Sequence, residues 1–191
     1  MPERIRPRLF AFPRDVELAW LTELVPDNAD RAVLEAMVDA FATTAKTKRL
    51  LPEHLDAIER AVGHPRPAVH GPAATRLTVL AHYFPTAAEA LERAMARPES
   101  SIRVHVASAL PNAPAEVAAP LLAATLSDSE YVVRKAAAAA ANSLPLPELL
   151  PALQKAVANE RDARVRVLLV QAVTFQEGAV ALPAPLDRSG R

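Results

Sequence analysis

Apolar residues recur along this chain at helical spacing, in short blocks that prolines and capping residues keep apart. Ala73, Leu77, Leu80 and Phe84 form one stripe, and Val133, Ala137, Ala140, Ala141 and Leu144 another. Intervals of three and four residues put each set on one side of an α-helix, whereas a half-buried strand would alternate at every second position. The pattern predicts ten helices and no strands: 14–25, 29–45, 52–62, 72–84, 87–96, 101–110, 115–126, 129–143, 147–158 and 162–175. Pro52 and Pro72 stand where a first-turn proline sacrifices no hydrogen bond, and Pro26, Pro85, Pro111 and Pro145 follow patterns they could not continue. Ser100 or Ser101, Asp128 or Ser129, and Asp162 can each offer an oxygen to the free N–H groups of a helix start. None of these segments is long enough to be stable alone in water, so their stability must come from neighbouring helices.

Self-similarity organises the second half. IRVHVASALP (102–111), VRKAAAAAANSLP (133–145) and VRVLLVQAV (165–173) each open with a β-branched residue followed by arginine. The arginines, Arg103, Arg134 and Arg166, are 31 and 32 residues apart, with a leucine-rich first helix between successive copies (114–128 and 146–160). A period near thirty made of two short helices signals an α-solenoid. Within it, the six alanines of Ala136–Ala141 suit a helix flanked on several sides, because a methyl side chain lets backbones approach while keeping high helix propensity.

These residues resemble the HEAT repeats, in particular their short bacterial form: an acid, then Val-Arg some six residues on, then small residues and a leucine. Asp128 with Val133-Arg134 fits, and Glu160 with Val165-Arg166 fits with Glu for Asp. Ile102-Arg103 departs, having Arg97 at the acid position, so a break in the acid–arginine ladder is expected there. An irregular further repeat is read from Arg76 to Met95. The resemblance implies a right-handed all-α solenoid of helix pairs spanning 14–175, clearest over 72–175, with an N-terminal extension (1–13) and a proline-containing tail (176–191). It also implies that Arg103, Asp128, Arg134, Glu160 and Arg166 are structural repeat residues, bridging acids or helix ends between units.

Composition narrows the chemistry. Half the residues are hydrophobic (51%) but only 4% aromatic, and 18 prolines stand against four glycines, as expected of helices broken by prolines. Cysteine is absent, which removes disulfides and thiolate chemistry and makes the cytoplasm the expected address. The N-terminal MPERIRPRLFAFP lacks the apolar run of a signal peptide, and no window is apolar enough to insert in a membrane. Lysine plus arginine equals aspartate plus glutamate at 22 each, so no global field attracts a polyanion. The clusters Arg4, Arg6, Arg8, Arg14 and Lys46, Lys48, Arg49 lack interleaved aromatics, and Trp20 belongs to an apolar stripe, so nucleic acid is not the expected partner.

Catalysis finds no support either. The five histidines show no helical metal-ligand spacing and no His-Glu dipeptide of the HEAT-like iron hydroxylases, so no metal or other cofactor is expected. No Gly-x-Ser-x-Gly turn or glycine-rich phosphate loop is present. Pairs such as Glu89/Glu92 and Asp56/Glu59 read as solvated faces. The expected function is a non-enzymatic protein-binding adaptor or scaffold, with Thr75, Thr78, His105, Ser108, Lys135 and Gln171 as candidate surface residues on the second helices. The same resemblance leaves two alternatives open: a bilin lyase-like enzyme or accessory factor, and a DNA-binding relative of the alkylpurine DNA glycosylases. Finally, Asp162–Phe175 is apolar around most of its circumference. That predicts either cover from Ala179–Leu186 or a homodimer through this helix.

Overall fold

A computed structural model describes residues 27–181 of the chain. The predicted helix 14–25, Trp20, the N-terminal arginines and the tail beyond Ala181 lie outside these residues. Within them the fold is all α: α1 (Asn28–Thr47), α2 (Pro52–Val62), α3 (Pro67–Leu80), α4 (Pro85–Met95), α5 (Ser100–Ala109), α6 (Ala115–Thr125), α7 (Tyr131–Ala141), α8 (Leu150–Asn159) and α9 (Ala163–Ala181). Short 3₁₀ turns, Leu110–Asn112 and Pro147–Leu149, lead into α6 and α8. No strand occurs among the described residues.

The helices form two rows. Odd-numbered helices from α3 to α9 pack directly on one another, while the even-numbered helices line the other side in looser mutual contact. Alanine explains the difference. Ala74 on α3, Ala107 on α5 and Ala138 on α7 are all fully buried, so each odd helix presents little more than a methyl group to its successor. Leucines fill the space between the rows: Leu77, Leu80, Leu91, Leu110, Leu122, Leu149 and Leu153 are inaccessible to solvent. One apolar seam runs from Leu34 to Ala172, with Val117 and Leu121 touching both of its halves.

Prolines account for the boundaries that differ from the sequence reading. Pro67, not Pro72, opens α3, and Pro72 sits inside it. The earlier start puts Val69 and His70 into the core at the places that Ile102 and Arg103 occupy in α5, so burial outweighs the backbone hydrogen bond that Pro72 cannot donate. The upstream repeat is thus registered on Val69-His70, ahead of the Arg76–Met95 segment. Pro85 begins α4 rather than merely ending its predecessor, and Pro111 lies in a 3₁₀ turn. Asp162 caps α9 as its position suggests, its Oδ1 accepting from the N–H groups of Arg164 (2.8 Å) and Val165 (3.1 Å). Neither Ser100 nor Ser101 caps α5, where Glu99 holds the N-cap position.

The last helix runs past Phe175 to Ala181 because Gln176 anchors it. Its buried side chain accepts from the N–H of Leu146 (2.7 Å) and donates to the carbonyls of Ala141 (2.7 Å) and Leu144 (2.9 Å). All three lie at the C-terminal end of α7 or in the link that follows it, so one amide both satisfies that link and pins α9.

Candidate functional site

Two features run along the odd row: a buried ladder of charges and an exposed ridge. The ladder starts from the repeated arginine. Arg103 donates from Nε and Nη2 to both carboxylate oxygens of Asp128, at 2.8 and 2.9 Å, and from Nη1 to the carbonyls of Arg97 (2.7 Å) and Pro98 (2.8 Å). Arg134 repeats this on the carboxylate of Glu160 (2.8 and 2.9 Å) and the carbonyls of Asp128 and Ser129 (both 2.9 Å). Arg166 reaches the carbonyl of Glu160. All three guanidiniums therefore close the turn ahead of their own helix, and those of Arg103 and Arg134 also grip the acid that opens the next repeat.

The electrostatics follow from that geometry. Hydrogen bonds from Arg134 hold the Glu160 carboxyl down at about 2 against the opposing cost of burial, helped by the N–H groups of Asp162 and Arg161. Asp128 is likewise held below the ordinary carboxylate range: burial acts to raise it but is overcome by Arg103 and by the N–H of Glu130. Arg103 and Arg134 are pushed up, chiefly by their hydrogen bonds to these acids.

The acid at each repeat opening serves the arginine of the repeat before it, so the departure at Arg97 breaks the rung above Arg103 and leaves the Arg103–Asp128 rung intact. In that broken rung His70 stands in the arginine's place. Its Nδ1 lies 2.7 Å from the carbonyl of His64, six residues earlier, matching the spacing of the arginine–carbonyl contacts. Its Nε2 meets Nδ1 of His105 at 3.1 Å, the two rings edge to face at 4.6 Å. Since Nδ1 of His105 also lies 2.8 Å from the carbonyl of Ser101, it is placed as the donor to both. His70 then serves as acceptor and stays neutral; burial foremost, with the neighbouring histidines, pushes its pKa below the ordinary imidazole value. His64 itself pairs with Asp30 at 2.9 Å, and Arg66 contacts the same carboxylate.

The ridge lies on the solvent side of the odd row. Counting five residues on from His70, Arg103, Arg134 and Arg166 gives Thr75, Ser108, Ala139 and Gln171, all exposed. Lys135 is exposed one step after Arg134, and Tyr131 is 51% exposed at the start of the same helix. His105 is only half-buried but is engaged with His70. Thr78 is corrected: it is fully buried, its hydroxyl donating to the carbonyl of Thr75 at 2.7 Å, and it lies eight residues past the register position, on the side packed into the stack. Ala139 and Tyr131 were missed in the sequence, although the repeat spacing that gives Ser108 and Gln171 also gives Ala139.

Acidic residues are unevenly spread among the central helices. α3, α5 and α7 carry no acidic residue, whereas α2, α4 and α6 carry Glu53, Asp56, Glu59, Glu89, Glu92 and Glu116. Among the described residues no three His, Asp or Glu side chains converge as a metal-ligand set. No described helix is long and apolar enough to cross a membrane.

Alternating helices, a period of 31 to 33 residues and a charge rung at two successive junctions define an α-helical repeat protein. Residues 87–174, from α4 into α9, match the family model of HEAT repeats, so this part of the chain is HEAT-like. A search of curated proteins finds no match.

Proposed function

We propose that the chain is a non-enzymatic scaffold whose odd-row ridge holds an extended, neutral or weakly acidic segment of a partner protein. The supporting observation is the in-register row of Thr75, Ser108, Ala139 and Gln171: one small or amide side chain per repeat, the first three on helices that carry no acid. Packed helices lie roughly 8–10 Å apart. An extended chain advances about 3.3 Å per residue, so a segment crossing the ridge meets the row at every third residue. Lys135 supplies the cation that favours an acidic residue midway, and Tyr131 the flat apolar surface typical of binding hot spots. The closer packing of the odd row supports reading its ridge as the extended surface that a solenoid presents.

Because the chain has no cysteine, one introduced cysteine can carry a photo-crosslinker at a single site. Ser108→Cys should capture a defined protein that Glu116→Cys, on α6, does not. Equal capture from both positions would refute the reading, as would duplex binding that weakens steeply with salt.

A further inference from the structure

We propose that a second copy of this chain docks on the outward face of α9, with the two α9 helices antiparallel. The inference is independent of what the ridge binds. In the three preceding odd helices, the position four residues past the register residue is Ala74, Ala107 or Ala138, buried in the stack. In α9 the same position is Val170, 49% exposed, and Val167 beside it is 57% exposed. With Ala163 and Thr174 these residues form a stripe at intervals of four, three and four on a 19-residue helix, the spacing of paired helices. The other side of α9 is buried through Val165, Leu169, Ala172 and Gln176.

Charge selects the occupant. Arg103 and Arg134 each grip a carboxylate of the following unit, but Arg166 has no such acid among the described residues. Setting Val170 against Thr174 of a second copy, as antiparallel pairing requires, brings Arg166 opposite Gly178 of that copy. Glu177, exposed and the only acid on α9, is one residue away, about 1.5 Å along the axis. The two-fold arrangement makes this pair twice, and each copy thereby supplies the missing rung of the other. A parallel pair would oppose Arg166 to Arg166 and Glu177 to Glu177.

Sedimentation equilibrium on the full chain tests this. The expected mass is twice 20.5 kDa at high concentration, with Val170→Glu weakening self-association at least tenfold. Glu177→Arg should weaken it similarly, and adding Arg166→Glu to Glu177→Arg should restore it, while circular dichroism confirms that every variant is folded. A wild-type monomer throughout overturns the proposal, as does a dimer indifferent to Val170→Glu or a charge-swapped double variant no better than the single one. Dimers that appear only after residues 182–191 are deleted would assign the face to the tail instead and also overturn it.

Discussion

Replacing Glu160 by glutamine keeps the shape of the Arg134 rung and removes its negative charge, which makes it the sharpest probe of the ladder. The Glu160 side chain is 2% exposed and that of Arg134 20%, so solvent screens the pair little. The carboxyl titrates at about 2 in the fold against an ordinary value of 4.5. At 1.36 kcal/mol per unit, the folded state favours the ionised form by about 3 kcal/mol. Glutamine resembles the neutral acid, so Glu160→Gln should cost about that much at neutral pH. The sign is fixed by the depressed value: the contribution is complete above the unfolded pKa near 4.5 and disappears as pH falls through 2. Urea titrations of both proteins, followed by far-ultraviolet circular dichroism from neutral pH downward, would show a gap that is constant at first and closes in that window. Taking the difference cancels other carboxylates such as Asp128. A gap under about 0.5 kcal/mol at neutral pH, or one that persists unchanged in acid, would refute the assignment of this stability to the charged rung.

Three further outcomes follow from the same geometry. Arg103→Lys keeps the charge but loses the fork that reaches Asp128 and two carbonyls at once, so thermal unfolding should show a loss of about 1–3 kcal/mol. Ala138→Leu inserts bulk where α7 meets α9 and should cost about 1–3 kcal/mol, whereas Ala139→Leu, one residue along on the exposed ridge, should stay within about 0.5 kcal/mol; equal effects would contradict the two-sided packing of α7. His70 is held neutral below its unfolded pKa of 6.5, so the unfolded chain binds a proton first and stability should decline as pH drops below 6.5. His70→Gln should flatten that part of the melting-temperature profile, and a profile unaltered by the change would remove His70 from the account.

The repeat frame was legible because its marks are local: Val-Arg pairs at nearly constant spacing, alanines at the stacking positions, and an acid before two of the three arginines. The nine predicted segments that fall within the described residues all form helices, with ends shifted where two prolines competed to start one. Pro67 and Pro72 both suit a first turn, and the choice depends on whether Val69 and His70 are buried, a tertiary fact. His70 escaped notice for the same reason, since an imidazole does not resemble a guanidinium in sequence and its role shows only when its Nδ1 meets the His64 carbonyl. Thr78 was misassigned because helical periodicity gives an angle but not the positions of neighbouring helices. Gln176 was overlooked because its partners, in the link between α7 and α8, lie 30 or more residues away.

The substitution of imidazoles for a guanidinium–carboxylate fork gives the molecule uneven mechanics. From α5 onward, neighbouring units are riveted by directional charged joints that resist both sliding and twist. Between α3 and α5 the corresponding joint is a single uncharged ring contact. Under load, the stack should behave as a stiff beam with one compliant joint, yielding first beside His70.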